Sequence, residues 1–92
     1  MSTELLEPEV KESKQAQTAW NTVVWDDPVN TMQYVVFIFQ KVLNFTAEQA
    51  EQKMMEVHTQ GKSIVYSGSK ETSEFYAHSI QSYGLQATIE QA

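Results

Sequence analysis

The sequence predicts an α/β (α+β) fold. It is a two-layer sandwich, with three helices on one face of a three-stranded antiparallel sheet, in the order βααβαβ. Three segments are β-branched, aromatic or alternating, as in strands, and three longer segments have apolar residues at helical spacing. Short links join them, so consecutive elements must be neighbours.

The first strand and the turn after it are predicted from residues 20–30. The strand, WNTVVW, is β-branched and aromatic. Asp27 precedes Pro28, which favours extended backbone at Asp27. Asn30 is a suitable N-cap and Gln33 completes a capping-box pattern, so a helix is predicted to begin there.

This first helix, predicted over residues 31–43, is apolar on most of its sides. The apolar side chains are Tyr34, Val35, Phe37, Ile38, Phe39 and Val42. Such a helix must be covered on most sides or must leave part of its surface for a ligand.

The second helix is predicted from its cap, its stripe and its end. Thr46 and Gln49 form a capping-box pair, and Gly61 is a natural left-handed stop. Its apolar stripe consists of Ala47, Ala50, Met54 and Val57. A second strand at 63–66, a third helix at 70–83 and an alternating strand at 85–90 complete the order.

Composition divides the chain into a tail and one domain. Residues 1–18 are rich in Glu and poor in apolar side chains, and we predict a flexible N-terminal tail. Residues 19–92 form the predicted domain, since 92 residues with 41% hydrophobic content suffice for one modest core.

The totals exclude several classes of function. The net charge is −6 and the six basic residues are scattered lysines, so no nucleic-acid partner is expected. The chain has no cysteine, which excludes disulfides and thiolate metal sites. The N-terminus does not resemble a signal peptide and no apolar run has membrane-spanning length. We therefore expect a cytoplasmic protein with no membrane partner.

The candidate polar groups do not form an enzyme site. Asp26 and Asp27 are adjacent, so on a strand their side chains point to opposite sides. His58 shares a helix face with Met54, without a second histidine at ligand spacing. No nucleophile elbow or phosphate-binding loop is present, and neither a cofactor nor a metal is expected. A generic protein-interaction module of the same sandwich fold remains an alternative.

A longer run carries a family resemblance. From about Thr22 to the C-terminus the chain resembles ClpS, the adaptor of the ATP-dependent Clp protease, most specifically in VVWDDPVNTMQYVVFIFQKVLNFTAEQAEQKMMEVHTQGKSIV. The resemblance implies a monomeric adaptor that binds N-degron proteins by a free α-amino group and a first Leu, Phe, Tyr or Trp. It also implies delivery to the N-domain of a Clp-family AAA+ unfoldase, with the N-terminal extension engaging that partner.

The resemblance also implies site residues. The residues implied to bind the α-amine are Asp26, Asp27, Asn30 and His58. Those implied to form the side-chain pocket are Val29, Met32, Val35, Met54, Val57 and Leu85. Two positions depart from the family pattern: Asp26 stands where the family has asparagine, and Pro28 lacks a backbone donor. Aspartate still accepts hydrogen bonds and adds charge, so amine recognition is expected to persist.

Overall fold

The computed structural model describes residues 19–92. The elements are β1 (Trp20–Trp25), α1 (Met32–Leu43), α2 (Ala47–Gln60), β2 (Lys62–Gly68), α3 (Lys70–Ser82) and β3 (Gln86–Gln91). The predicted order βααβαβ is confirmed, and the antiparallel sheet has the strand order β2-β1-β3. The tail predicted for residues 1–18 lies outside the described residues.

The start of α1 corrects the sequence prediction. Its N-cap is Thr31 rather than Asn30, and the Thr31 hydroxyl accepts a hydrogen bond from the Tyr34 N–H at 3.1 Å. Asn30 does not act as the cap, and its side-chain amide nitrogen donates instead to the Asp27 carboxylate and to the Gly84 carbonyl. The helix therefore begins one residue later, at Met32.

The caps of α2 confirm the sequence prediction. Thr46 and Gln49 make both bonds of a capping box, at 3.0 and 3.1 Å. Gly61 ends the helix with φ of 89°, where a side chain would be strained. The two bonds at the start and the glycine at the end fix the bounds of α2, in whose last turn His58 lies.

A β-bulge redirects part of β2. Thr22 pairs with Tyr66 while Val23 pairs with Ile64, so Val65 has no partner on β1. Val65 nevertheless lies in the core, and the Tyr66 ring packs 4.9 Å from that of Tyr76 on α3. The extra residue thus lets two consecutive side chains contact the helical layer.

The core lies between the sheet and the helices. Its buried members are Val24, Ile38, Phe39, Ala50, Val57, Val65, Ala77, Ile80, Leu85 and Ala87. Two buried hydroxyls connect α3 to the central strand: Thr22 donates to the Ser73 carbonyl, and Ser73 donates to the Trp20 carbonyl, each at 2.9 Å. The sheet therefore holds α3 by polar as well as apolar contacts.

Both outer strands receive a hydrogen bond from a helix side chain. Lys53 on α2 donates to the Ile64 carbonyl at 3.0 Å, and Gln81 on α3 donates to the Ala87 carbonyl at 2.6 Å. Outer strands that are covered in this way are less available for pairing with another chain.

Glu56 lies beside Lys53. A hydrogen bond from Ser63 and the nearby Lys53 ammonium lower the pKa of Glu56 below its usual value. Within residues 19–92, no helix is long and apolar enough to span a membrane.

Candidate functional site

One cavity of about 340 Å³ opens where β1 ends. Its walls come from the turn after β1, the first turns of α1, the C-terminal half of α2 and the residue before β3. The lining residues are Val24, Trp25, Asp26, Asp27, Pro28, Asn30, Thr31, Met32, Val35, Met54, Val57, His58 and Leu85. This volume is at the lower end of the range for small-ligand sites, about 300–1,000 Å³.

Two hydrogen bonds between distant segments bring these walls together. The Asp26 N–H donates to the Gly61 carbonyl at 2.9 Å, which joins the end of β1 to the end of α2. The Asn30 side chain donates to the Gly84 carbonyl at 3.2 Å, which joins the turn to the segment before β3. These bonds explain why Asp26, His58 and Leu85 border the same cavity although they are far apart in the sequence.

Asp27 organises the turn itself. Its two carboxylate oxygens accept from the Val29 N–H at 2.8 Å and from the Asn30 amide at 3.1 Å. Pro28 fits between them because it has no N–H to satisfy. The two amide hydrogens of Asn30 are thus directed to Asp27 and Gly84, which leaves its side-chain carbonyl oxygen as an acceptor beside the cavity.

Asp26 and His58 contribute less constrained polar groups. Both side chains are exposed and line the cavity, and within the described part of the chain neither makes a hydrogen bond. No lysine lines the cavity, so the two carboxylates at its mouth are not neutralised by a lining cation. The mouth therefore favours a positively charged ligand group with several donors.

The interior of the cavity is apolar. Val57 and Leu85 are 4% and 5% exposed and belong to the core, whereas Met32 is 43% exposed at the rim. Val35 and Met54 are half-buried between them. An apolar ligand group inserted here would bury surface against Val57 and Leu85, and Met32 could adapt to its shape because methionine is unbranched.

Nine of the ten residues predicted for the site line this cavity, and Val29 does not. The side chain of Val29 is 84% exposed. Val29 therefore does not line the cavity, although its N–H donates to Asp27 in the same turn. The roles of the other nine in binding stay predictions.

Four lining residues were missed in the sequence: Val24, Trp25, Pro28 and Thr31. Trp25 and Pro28 directly flank the Asp-Asp pair and Val24 precedes Trp25, and this proximity was the available signal. The outward-directed Trp25 was interpreted only as a strand residue.

Among residues 19–92, no group of three His, Cys, Asp or Glu side chains is placed to hold a metal ion.

Comparison with known proteins identifies the family. Residues 15–88 match the family model described as ATP-dependent Clp protease adaptor protein ClpS. The ClpS adapter of Corynebacterium glutamicum (strain R) is 48% identical over 73 residues, 79% of this chain and 73% of the relative. That of Corynebacterium aurimucosum is 41% identical over 98 aligned positions, which cover 100% of this chain and 88% of the relative.

The chain belongs to the ClpS family. It is thus a Clp protease adaptor rather than a protease. A solved structure, Agrobacterium tumefaciens ClpS2 bound to L-phenylalaninamide, superposes with a TM-score of 0.79 at 17% identity, over 83% of this chain and 99% of that one. At that identity the similarity supports the ClpS fold alone, and the site rests on the geometry described above.

Proposed function

We propose that this ClpS-family adaptor binds proteins through a free N-terminal α-amino group and a bulky first side chain, Leu, Phe, Tyr or Trp. The observation that carries the proposal is the division of the cavity into an acidic, acceptor-rich mouth and an apolar interior. L-phenylalaninamide, the ligand of the Agrobacterium relative, combines the two matching groups, a free α-amine and an aromatic side chain.

In this proposal Asp26, Asp27, Asn30 and His58 surround the α-ammonium. An α-amino group has a pKa of about 8 and is mostly protonated at neutral pH, with three donors. Two carboxylates, the free oxygen of Asn30 and the imidazole are suitable acceptors. An internal peptide amide offers neither the charge nor the donors, so the mouth selects for a true N-terminus.

The first side chain is proposed to enter between Met32, Val35, Met54, Val57 and Leu85. Burial of a Leu or Phe side chain contributes about 1.5–3 kcal/mol. The amine term alone does not distinguish an N-terminal Leu from an N-terminal Ser, and the side-chain term alone does not distinguish an N-terminal Leu from an internal Leu. Together they give specificity for a bulky, apolar first residue.

Delivery of the bound protein completes the proposal. We infer that the adaptor docks on the N-domain of a cytoplasmic Clp-family AAA+ unfoldase, with residues 1–18 engaging that partner. We also infer that it works as a monomer. The bonds from Lys53 and Gln81 to carbonyls of the two outer strands support this, since they oppose strand pairing between copies.

Acetylation of the peptide N-terminus tests the proposed amine recognition. We expect at least about tenfold weaker binding of an acetylated Phe-initiated peptide, since acetylation removes the charge and two donors. Fluorescence anisotropy with peptides labelled at the C-terminus measures the affinity, and the control is a Ser-initiated pair. Equal affinity of the free and acetylated Phe peptides would support a generic interaction module instead.

Met32→Ala is expected to broaden the first-residue preference. Met32 stands at the rim, so its removal leaves space for side chains branched at Cβ, and Ile- and Val-initiated peptides should gain affinity relative to Phe. Met55→Ala is the matched control, because Met55 is similarly exposed, at 45% against 43%, and lies outside the cavity. An unchanged profile in folded Met32→Ala protein would remove Met32 from the pocket.

A further inference from the structure

A second, shallower cleft adjoins the cavity. It is lined by Trp25, Gln81, Leu85, Gln86, Ala87 and Thr88. Trp25 and Leu85 line both concavities, so the two adjoin each other at these side chains. A third concavity, on the outer face of α2, shares no residue with either.

Trp25 is held in place from two sides. Its indole N–H donates to the Thr88 hydroxyl at 2.9 Å, and the Lys62 ammonium lies 5.1 Å from the ring centroid. Lys62 therefore covers one face of the ring. The side chain is still 37% exposed, so part of this fixed aromatic surface remains available at the border of the two concavities.

An extended peptide would cross this border in a defined way. With its α-ammonium at the mouth and its first side chain inside the cavity, the chain must continue outward. Successive side chains of an extended chain point to opposite sides, so the second points away from the adaptor and the third returns toward it. The first and third Cα atoms are about 6.6–7 Å apart. A third side chain that points back toward the adaptor would therefore lie near the concavity that adjoins the cavity at Trp25 and Leu85.

We infer that the cleft beside Trp25 is the subsite for the third residue of the bound N-terminal peptide, and that it selects an apolar, above all aromatic, side chain. The inference rests on the proposed function and extends it from the first residue to the third. The indole of Trp25 offers a stacking surface, and Leu85 and Ala87 add apolar contacts. None of the residues that line the cleft is charged, and the Lys62 ammonium beside it lies over the Trp25 ring.

The first arm of the test places one aromatic residue at different positions. The peptides begin Phe-Ala-Phe, Phe-Phe-Ala and Phe-Ala-Ala and are otherwise identical. We expect the first to bind roughly three- to tenfold more tightly than the last, as aromatic stacking provides, and the second to differ from the last by less than about twofold. An equal gain at positions 2 and 3, or none at position 3, would overturn the inference.

The second arm introduces a charge into the cleft. Gln86 is exposed on β3 and lines only the second cleft, so Gln86→Lys should leave the fold and the cavity intact. In this variant a Phe-Ala-Glu peptide should gain roughly threefold or more in affinity relative to Phe-Ala-Lys, as expected for a partly exposed charge pair. Moving the same charges to the second residue should reduce the effect.

Glu90→Gln is the matched control. This substitution also raises the net charge by one unit, and residue 90 has its side chain on the same face of β3 as residue 86, four residues farther along the strand. A change in the relative affinity for the two peptides as large in Glu90→Gln as in Gln86→Lys would indicate a general charge effect and contradict the subsite.

Acetylated peptides distinguish failure of the proposed function from failure of the subsite. Loss of amine dependence overturns the proposed function, whereas retained amine dependence without a third-residue preference overturns the subsite alone.

Discussion

An Asp26→Ala variant is expected to bind a Phe-initiated peptide roughly ten- to a hundredfold more weakly. The change removes a carboxylate from the mouth, and a hydrogen bond to a charged group contributes about 1.5–3 kcal/mol. Because the Asp26 side chain is exposed and makes no hydrogen bond within residues 19–92, the free energy of unfolding should change by less than about 0.5 kcal/mol. Anisotropy titration and urea unfolding measure the two effects.

Asp27→Ala is expected to affect both quantities. Its carboxylate accepts from the Val29 N–H and from the Asn30 amide, so its loss releases the turn as well as removing a charge. We expect weaker peptide binding together with a loss of about 1–2 kcal/mol in the free energy of unfolding.

Asp26→Asn is the conservative control for this pair. It restores the asparagine that the family resemblance implies at this position and should keep most of the affinity. Wild-type affinity in Asp26→Ala would contradict a role for Asp26 in amine binding. Equal losses of stability in Asp26→Ala and Asp27→Ala would contradict the conclusion that only Asp27 stabilises the turn.

The largest expected effect on stability comes from Phe39→Ala. Phe39 is fully buried in the core and its ring packs edge-to-face on that of Phe45, with centroids 6.3 Å apart. Truncation leaves a cavity and removes this contact, which together cost about 3–5 kcal/mol. Since a small domain has only about 5–15 kcal/mol of stability, the variant should unfold at much lower urea concentration.

Phe37→Ala on the same helix is the matched control. Phe37 is 53% exposed, and the Lys41 ammonium lies 6.0 Å from the centroid of its ring. Its truncation should cost less than about 1 kcal/mol. Similar losses of stability in the two variants would contradict the placement of Phe39 in the core and of Phe37 at the surface. Phe39→Leu, which keeps most of the volume, provides a folded variant if Phe39→Ala does not accumulate.

Local sequence signals were sufficient for the order of the elements. Each strand or helix has its own composition or apolar spacing, and each helix has its own cap, so these signals come from residues close in sequence. The capping box of Thr46 and Gln49 and the stop at Gly61 were correct for this reason. The predicted start of α1 was one residue early, since Thr31 is the cap and the Asn30 side chain is held by Asp27 and by Gly84, which is 54 residues away.

The same distinction between local and long-range information applies to the site. The sequence by itself determined the residue types. These are a pair of carboxylates in a fixed turn, a helix that is apolar on most of its sides, and a histidine on the face of Met54. The family resemblance then assigned these residues to one site. It could not show that Val29 does not line the cavity, which only the exposure of its side chain in the folded turn reveals.

Only the tertiary structure decided which segments share a cavity and what adjoins it. The bond from the Asp26 N–H to the Gly61 carbonyl and that from Asn30 to Gly84 join three segments distant in sequence, and no local pattern encodes such contacts. The same applies to Trp25. Its sequence neighbours predict an ordinary strand residue, whereas Thr88 and Lys62, from the two flanking strands, fix its ring between the two concavities.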